Sequence, residues 1–409
     1  MKILQINSVC GIGSTGRIVA GIHDILIKNG HESYIACGRN LYKNFDNAIK
    51  IGTSFDVYMH VLKTRIFDKH GFGSKKATIK FINKVENLNP DIIHLHNIHG
   101  YYVNIEVLFN YLKTANKPVI WTLHDCWAFT GHCSYFDYVN CDKWKTGCYK
   151  CPQKTKYPKS ILLSNSKHNY LKKKEIFTDV KNMIIVTPSN WLAKLVRQSF
   201  LKEYPVKVIN NGIDLTVFKP VKSDFRKKYN LEGKFIILGI ANVWEKRKGY
   251  KYFIELAQKL EKDEIIVMVG LTKRQIKKLT DNIIGITKTN SVKELVKIYS
   301  SADVFVNPTL EDNFPTTNLE ALACGTPVIT FNTGGSVESV DSNTGFVVEK
   351  GSIDGLLNAI KVIKEKGKKS YSYYCVERVR KLYNKHNAFN EYMSLYRITS
   401  EKILKCLSN

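Results

Sequence analysis

Three carboxylates within residues 311–320 form the strongest chemical motif of the chain. Glu311 and Asp312 lie in a predicted loop, and Glu320 lies on the helix that the pattern predicts next, over residues 318–324. An ionised carboxylate only accepts hydrogen bonds, so these residues are candidate acceptors for the polar hydrogens of a ligand. An ordinary acidic loop followed by a helix is the alternative interpretation.

A second motif supplies positive charge. Residues 246–249 read Lys-Arg-Lys-Gly and follow a strand predicted at residues 234–240. Arg247 and Lys248 are the candidate donors to an anionic ligand, because cationic side chains form strong hydrogen bonds with anions. A solvated basic turn is the alternative.

Three glycines open a loop between the first predicted strand and the first predicted helix: Gly11, Gly13 and Gly16. Their spacing is that of a dinucleotide-binding loop, and the amides at a helix N-terminus attract anions. However, Gly38 and Arg39 stand where such a site needs an acidic residue for the ribose. The sequence therefore disfavours a nicotinamide cofactor, and it leaves an anion- or acceptor-binding loop or a plain tight turn.

Four of the ten cysteines lie close together in the sequence. The last two are separated by two residues, a spacing typical of half of a structural zinc site with four thiolate ligands. The first two are farther apart than in a typical zinc-binding pair, so free thiols and disulfides remain alternatives. The four candidate ligands are Cys133, Cys141, Cys148 and Cys151.

The elements that must position these residues alternate between strands and helices, which is typical of a parallel sheet. We predict an α/β fold with two doubly wound, Rossmann-like domains that face a cleft and bind ligands at the loops after their strands. The N-terminal domain is predicted over residues 1–204, with a cysteine-rich insertion at about 126–156. The C-terminal domain is predicted over residues 205–375, and a helical segment, 376–409, is predicted to pack back across the domains.

The composition is that of a folded globular protein, but the charge is unusual. Lys and Arg number 62 against 36 Asp and Glu, for a net charge of +26. Residues 142–202 alone hold 14 basic and three acidic side chains. This favours an anionic partner such as a membrane surface, with a lysine-rich solvated surface as the alternative.

The sequence also bears on location. It starts without the pattern of a secretory leader, and no apolar run approaches the length that spans a membrane. Ten cysteines in 409 residues are too few for a disulfide scaffold. We therefore predict a cytoplasmic protein, with peripheral contact at the inner face of the cytoplasmic membrane if the basic region meets lipid.

The segment 308–328 resembles the donor-binding motif of the retaining glycosyltransferases of family four, which adopt the two-domain GT-B fold. In that family two carboxylates lie eight positions apart, and the second opens the run Glu-Ala-Met-Ala-x-Gly-x-Pro-Val. Here Glu320 opens the run Glu-Ala-Leu-Ala-Cys-Gly-Thr-Pro-Val. The resemblance implies that Glu320 accepts the ribose hydroxyls of a nucleotide sugar and that Glu311 or Asp312 meets the transferred sugar.

Other segments extend the resemblance. Lys248 matches the family lysine on the donor diphosphate, whereas Asn242 stands at the position of the family arginine, which makes Arg247 the candidate replacement. His124 ends a predicted strand where the family has a histidine that reaches the donor sugar, and a structural histidine is the alternative. The backbone amides that match the family's contacts to sugar or diphosphate belong to Phe314, Thr316 and Thr317.

The resemblance implies a retaining glycosyltransferase of the hexosyltransferase type that needs no catalytic metal. It would move a sugar from a UDP- or GDP-linked donor to a saccharide or polyprenyl-diphosphate acceptor in the biosynthesis of a bacterial capsule or O-antigen. A sugar-nucleotide epimerase of the same fold and a basic nucleic-acid-binding protein are the alternatives. The latter leaves the Glu320 motif unexplained, and the chain lacks recognised nucleic-acid modules, so no nucleic-acid partner is expected.

Overall fold

The computed structural model describes residues 1–39, 45 and 47–407, with side chains described up to residue 401. The chain divides into two compact units. The first comprises residues 1–210 and 389–409, and the second comprises residues 211–388. Each unit contains one parallel sheet with helices, so the predicted fold class of two Rossmann-like α/β domains is confirmed.

The first unit has a seven-stranded sheet in the order β3-β2-β1-β4-β5-β6-β7, and every pairing is parallel. Its central strands are short apolar runs that are buried on both faces, as in sheets covered by helices. The strand order reverses between β1 and β4, and ligands of doubly wound sheets bind at such a point. The strands are β1 (Lys2–Val9), β2 (Glu32–Arg39), β3 (Ala48–Lys50), β4 (Ile92–Leu95), β5 (Val119–Thr122), β6 (Met183–Thr187) and β7 (Val206–Val208).

In the described part of the chain, six helices lie between the strands of this sheet. The first begins at Gly13, earlier than the start predicted at residue 18, because the glycine loop itself provides the first helical turn. The cysteine-rich insertion contains only short 3-10 turns, at Trp127–Phe129, Asp137–Val139 and Lys143–Lys145. The helices are α1 (Gly13–Lys28), α2 (Ser54–Phe67), α3 (Lys75–Leu88), α4 (Ile105–Thr114), α5 (Ser166–Phe177) and α6 (Asn190–Val196).

The second unit has a six-stranded parallel sheet in the order β10-β9-β8-β11-β12-β13. The order reverses between β8 and β11, so the loops after these two strands flank the expected ligand site. The strands are β8 (Phe235–Ile240), β9 (Glu264–Val269), β10 (Ile283–Ile286), β11 (Val304–Asn307), β12 (Val328–Phe331) and β13 (Gly345–Val348). The helices are α7 (Phe225–Lys228), α8 (Tyr250–Ala257), α9 (Lys273–Ile276), α10 (Val292–Ser301), α11 (Thr316–Ala323), α12 (Ile353–Lys366) and α13 (Lys369–Leu382).

The boundary between the units follows residue 210 rather than residue 204, because β7 pairs with β6 and completes the first sheet. The C-terminal segment is not one helix but two, α13 and α14 (Lys385–Leu407). From residue 389 onward α14 belongs to the first unit. The last two residues of the predicted segment, 408 and 409, lie outside the described residues.

Two tyrosines of α14 bond to polar side chains of the first sheet. The hydroxyl of Tyr396 lies 2.6 Å from Nδ1 of His94, and that of Tyr392 lies 3.1 Å from the hydroxyl of Thr122. Nε2 of His94 in turn lies 2.8 Å from the Thr122 hydroxyl. All four residues are buried, so this network fixes the end of α14 on the sheet.

Within the described residues, no helix is both long enough and apolar enough to cross a membrane.

The buried network predicts a specific cost for removing one hydroxyl. Tyr396→Phe leaves a nitrogen of buried His94 without its partner, so the free energy of unfolding should fall by about 1–3 kcal/mol. The matched control is Tyr373→Phe, because Tyr373 is 68% exposed, and it should change stability by less than about 0.5 kcal/mol. Urea unfolding followed by circular dichroism measures both, and equal effects would contradict the anchoring role of Tyr396.

Candidate active site

Two loops of the second unit, those after β8 and β12, pack against the predicted acidic motif. The loop after β8 approaches it through Leu310, whose amide donates to the carbonyl of Arg247 at 2.7 Å. The loop after β12 approaches through Thr333, whose hydroxyl donates to the carbonyl of Leu310 at 2.9 Å. The amide of Gly335 also donates to the carbonyl of Asp312, at 3.2 Å. The acidic loop is thus held from both sides by backbone bonds.

Two glycines permit this close approach. Gly249 has φ +78°, and a Cβ there would lie 2.1 Å from the carbonyl oxygen of Pro308. Gly334 has φ +54°, and a Cβ there would lie 1.8 Å from the carbonyl oxygen of Asp312. Both positions combine a left-handed backbone with a contact that only glycine tolerates, so they explain why Lys-Gly and Gly-Gly occur in these loops.

Glu320 lies on α11, and its side chain is almost fully buried. Its Oε2 accepts a hydrogen bond from the hydroxyl of Tyr299 on α10, at 2.9 Å. A carboxylate accepts several hydrogen bonds, so the Tyr299 contact orients Glu320 without exhausting its capacity for hydroxyl groups. Tyr299 was not predicted from the sequence, because it lies 21 residues before Glu320 and carries no motif of its own.

The basic and acidic motifs meet directly. The ammonium of Lys248 forms an ion pair with Oδ2 of Asp312, while Oδ1 of Asp312 accepts from the amide of Asn313 at 2.9 Å. Asp312 and its neighbour Glu311 are both buried. Arg247 lies on the same loop, with its Nε 3.5 Å from a carboxylate oxygen of exposed Glu245. Both predicted diphosphate donors therefore lie in the loop that packs on the acidic motif.

The first turn of α11 begins directly after the acidic loop. Helix α11 starts at Thr316 after Pro315, and no side chain caps it. Thr316 and Thr317 are half-buried, whereas Phe314 is buried with its ring 5.5 Å from that of Tyr383 in an edge-to-face contact. A helix N-terminus without a capping side chain directs its amides and positive dipole outward, which suits an anionic ligand.

A buried polar network around Asn318 holds α11 in place. The amide nitrogen of Asn318 donates to the hydroxyls of Ser336 and Ser339, at 3.1 and 2.9 Å. Its amide oxygen accepts from the side chain of Asn307 at 2.8 Å. Each of these groups is buried and satisfied, so the network fixes the rotation of α11 and hence the position of Glu320. No sequence motif predicts this role for Asn318.

In the first unit the glycine loop joins β1 to α1, as predicted. Gly11 and Gly13 have φ +72° and +67°, and the amide of Gly11 donates to the carbonyl of Gly16 at 3.2 Å. No side chain caps α1. The loop lies at the point where the order of the first sheet reverses, so its role as an anion- or acceptor-binding loop stays a prediction.

His124 lies just after β5 and next to His96, which follows β4. Nε2 of His124 is 3.2 Å from Nδ1 of His96, and the two rings stack with centroids 5.5 Å apart. Burial lowers the pKa of His124 to about 4, although Asp125 opposes this shift. His124 is therefore neutral at pH 7, and in that state one ring nitrogen donates and the other accepts.

The Asp125 carboxylate and the His99 imidazole lie in direct contact beside His124. Nε2 of His99 lies 3.0 Å from Oδ2 of Asp125, and its Nδ1 lies 3.0 Å from the hydroxyl of Tyr157. Burial tends to raise the pKa of Asp125, but His99 and the amide of Trp127 more than compensate, so its pKa is lowered overall. The pair ties the loop after β5 to the loop after β4, and it was not found from the sequence.

The four clustered cysteines line one small cavity of about 10 Å³ in the first unit. The amide of Gly131 donates to Sγ of Cys148 at 3.1 Å. A hydrogen bond from Cys133 lowers the pKa of Cys151. In the part of the chain that the structure describes, no three His, Cys, Asp or Glu side chains are arranged as a metal site. The structure thus brings the predicted ligands together without the geometry of a closed coordination shell.

Lys173 lies fully buried next to this cavity. Its ammonium donates to the carbonyls of Trp127 and Thr130, at 2.8 and 3.1 Å, and lies 3.4 Å from the centre of the Trp127 ring. Burial lowers the pKa of Lys173 to about 7, and the nearby Cys148 and Cys133 oppose that shift. A buried lysine inside a Lys-Lys-Lys run cannot be distinguished from its exposed neighbours by sequence alone.

Comparison with known families matches nearly the whole chain. Residues 15–217 match the model described as Glycosyltransferase Family 4, and residues 221–381 match the model described as Glycosyl transferases group 1. The two matches meet close to the boundary between the structural units. All predicted donor-site residues lie in the second match, and His124 lies in the first.

Similar proteins support the same assignment. A protein of Escherichia coli K12 named for colanic acid biosynthesis, the glycosyl transferase WcaC, is 23% identical over 86% of this chain and 88% of its own. The E. coli UDP-Gal:alpha-D-GlcNAc-diphosphoundecaprenol alpha-1,3-galactosyltransferase is 27% identical over 40% of this chain and 46% of its own. Among solved structures, sucrose-phosphate synthase of Thermosynechococcus elongatus has a TM-score of 0.71 at 19% identity, covering 97% of this chain and 98% of its own, which shows a shared fold.

The close approach at Gly334 predicts a strong effect of one added methyl group. Gly334→Ala would place a carbon inside the contact with Asp312, so it should lower the free energy of unfolding by at least about 2 kcal/mol more than Gly367→Ala. Gly367 is the matched control, because it also has a positive φ, +75°, but has open space around its missing Cβ. Thermal unfolding of both variants measures the difference, and equal destabilisation would contradict the steric argument.

Proposed function

Because this chain belongs to the family 4 glycosyltransferases of GT-B fold, we propose that it transfers a hexosyl group from a nucleotide sugar with retention of configuration at the anomeric carbon. The observation that carries this proposal is the packing of two loops against the 311–320 motif. That packing joins a buried carboxylate on α11, a helix N-terminus without a capping side chain and two basic side chains within one unit. A nucleotide diphosphate sugar needs these three features.

Each group has a defined role in the proposed donor site. Glu320 accepts the ribose hydroxyls, and its bond from Tyr299 keeps its carboxylate oriented. Lys248 and Arg247 neutralise the diphosphate, first as it binds and then as it becomes the leaving group. The amides of Phe314, Thr316 and Thr317 donate to the sugar or diphosphate.

The reaction centre lies at the transferred sugar in this proposal. Glu311 or Asp312 contacts that sugar. His124 of the first unit is the proposed catalytic histidine, and as a neutral imidazole it can donate one hydrogen bond. Its pKa of about 4 supports the neutral form. No catalytic metal is required, because the basic loop provides the charge that a cation would otherwise supply.

The names of similar proteins guide the choice of substrates. The similar E. coli galactosyltransferase is named for UDP-Gal and a diphosphoundecaprenol-linked acceptor, and WcaC is named for colanic acid biosynthesis. We propose a UDP- or GDP-linked donor and a polyprenyl-diphosphate or saccharide acceptor, bound beside the glycine loop of the first unit. The proposed setting is bacterial surface polysaccharide biosynthesis at the inner face of the cytoplasmic membrane.

The donor site can be tested with one conservative substitution. Glu320→Gln keeps an oxygen for Tyr299 but removes the charge, so the affinity for the preferred nucleotide sugar should fall about 10- to 100-fold. The control is Glu365→Gln, because Glu365 is exposed on α12, and it should bind like the original protein. Isothermal titration with UDP and GDP sugars measures both.

An activity assay completes that test. The folded protein should transfer the sugar to a polyprenyl-diphosphate acceptor. NMR of the product should show the same anomeric configuration as in the donor. Solvent proton exchange into a sugar nucleotide without transfer would instead indicate an epimerase. If the folded protein binds none of these donors, the proposal is wrong.

We also propose that Cys133, Cys141, Cys148 and Cys151 hold a structural zinc ion after their thiols turn inward. Three features of the site fit this ion: four sulfurs around one small cavity, an amide that donates to Cys148, and a buried ammonium close to the sulfurs. A zinc ion with four thiolates carries net negative charge, and Lys173 would balance part of it.

Metal analysis tests the zinc proposal independently of activity. Protein purified under reducing conditions with added zinc should contain about one zinc per chain, and Cys141→Ser or Cys151→Ser should lower this to below about 0.2. The control Cys324→Ala, which alters a buried cysteine of the second unit, should keep its zinc. A protein without zinc, or one whose zinc survives both serine variants, would refute the site.

A further inference from the structure

Helix α2 of the first unit exposes an apolar face. Phe55, Tyr58, Met59 and Leu62 have between 39% and 70% of their surface exposed. Their spacing of i, i+3, i+4 and i+7 places them on one side of the helix. Thr64, on another side, is fully buried. An apolar helix face that remains in water is uncommon in a folded unit and marks an interaction surface.

A loop beside this helix is also apolar and exposed. Ile161, Leu162 and Leu163 are 49% to 64% exposed. The amide of Ile161 donates to the carbonyl of Arg65 at 2.7 Å, and that of Leu163 donates to the carbonyl of Ile66 at 3.1 Å. The loop is therefore fixed by backbone bonds to the last turn of α2. We call the two elements together the apolar surface: Phe55, Tyr58, Met59, Leu62, Ile161, Leu162 and Leu163.

The charge around the apolar surface is positive. The sequence contains no acidic residue between positions 143 and 174, whereas this stretch is rich in lysine. The ammonium of Lys154 bonds to the carbonyl of Leu162 at 3.0 Å, and Lys156 and Lys159 are exposed nearby in the sequence. The one acidic residue within α2, Asp56, is occupied by the capping box of that helix.

We propose that the apolar surface docks the first unit onto an anionic lipid bilayer. The apolar side chains would enter the boundary between headgroups and acyl chains, and the lysines would meet lipid phosphates, each contributing attraction near the surface. The inference rests on the proposed function in one respect, because an enzyme with a lipid-linked acceptor must act at a bilayer surface.

The positive charge around the apolar surface favours a bilayer over a second copy of this chain as the binding partner. A symmetric dimer through the apolar surface would bring the same patch of lysines face to face, and like charges oppose that contact. A bilayer with acidic headgroups supplies the opposite charge and an apolar layer at once. The basic stretch 142–202 indicated a membrane from the sequence, but it lacked the apolar component that α2 provides.

Vesicle flotation tests the proposal. The full chain should bind vesicles of phosphatidylcholine with phosphatidylglycerol, and it should bind vesicles of phosphatidylcholine alone at least about tenfold more weakly. The double variant F55S/L62S removes apolar contacts and should lose at least about tenfold in affinity for the acidic vesicles. The variant K156E/K159E should lose a similar factor, and less so at high salt.

Matched controls separate this surface from general exposure and charge. Tyr373 and Tyr374 are exposed aromatics of the second unit, and Lys277 and Lys278 are exposed lysines there. The variants Y373S/Y374S and K277E/K278E should therefore bind acidic vesicles as the original protein does. Unchanged circular dichroism would show that every variant folds.

Several outcomes would overturn the inference: no binding of the original protein to acidic vesicles, equal binding of F55S/L62S, or a dimer in sedimentation that F55S/L62S disperses. A donor-binding measurement tests the proposed function separately from membrane docking, because F55S/L62S should bind the nucleotide sugar normally. If no donor binds but F55S/L62S still abolishes vesicle binding, the proposed function fails and the docking surface stands.

Discussion

The second unit depends on one steric constraint, the contact between the backbone of the acidic loop and two glycines. The carbonyls of Pro308 and Asp312 lie so close to Gly249 and Gly334 that no side chain fits between them. The basic loop, the acidic loop and the loop after β12 therefore share one arrangement. Glu320, Lys248 and the start of α11 owe their relative positions to it, so the chemistry of the site follows from the absence of two methyl groups.

The sequence predicts the most apolar strands well because these strands are locally encoded. Residues 265–269 and 183–186 are continuous apolar stretches, and they lie within the strands Glu264–Val269 and Met183–Thr187. Helix ends were predicted less well. The glycine-rich start of α1 and the break between α13 and α14 depend on packing, which a local pattern does not record.

In the candidate site, too, local features could be predicted and contacts between distant residues could not. The residue types at 311–320 and 246–249 were recognisable because their spacing within each motif is short. The contacts between the motifs were not, because Lys248 and Asp312 are 64 residues apart and Tyr299 reaches Glu320 from another helix. The apolar residues of α2 recur with helical spacing in the sequence. Whether other parts of the protein cover that face depends on the remainder of the fold.

The two units treat their polar groups differently. In the first, burial keeps His94, His96 and His124 neutral, so these three side chains contribute hydrogen bonds rather than charge at the ends of β4 and β5. In the second, an ion pair between Lys248 and Asp312 lies at the centre of the candidate site. Neutral groups suit the recognition of hydroxyls, whereas ionised groups suit the recognition of phosphates.

Lys248 has a counter-ion within its own chain, so an anionic ligand at this residue competes with the Asp312 carboxylate. In the proposed donor site, this competition would offset part of the attraction between the diphosphate and Lys248. An Asp312 oxygen released from the ammonium would then accept a hydrogen bond from a hydroxyl of the donor sugar. The proposed phosphate and sugar contacts would thus be coupled through one ion pair.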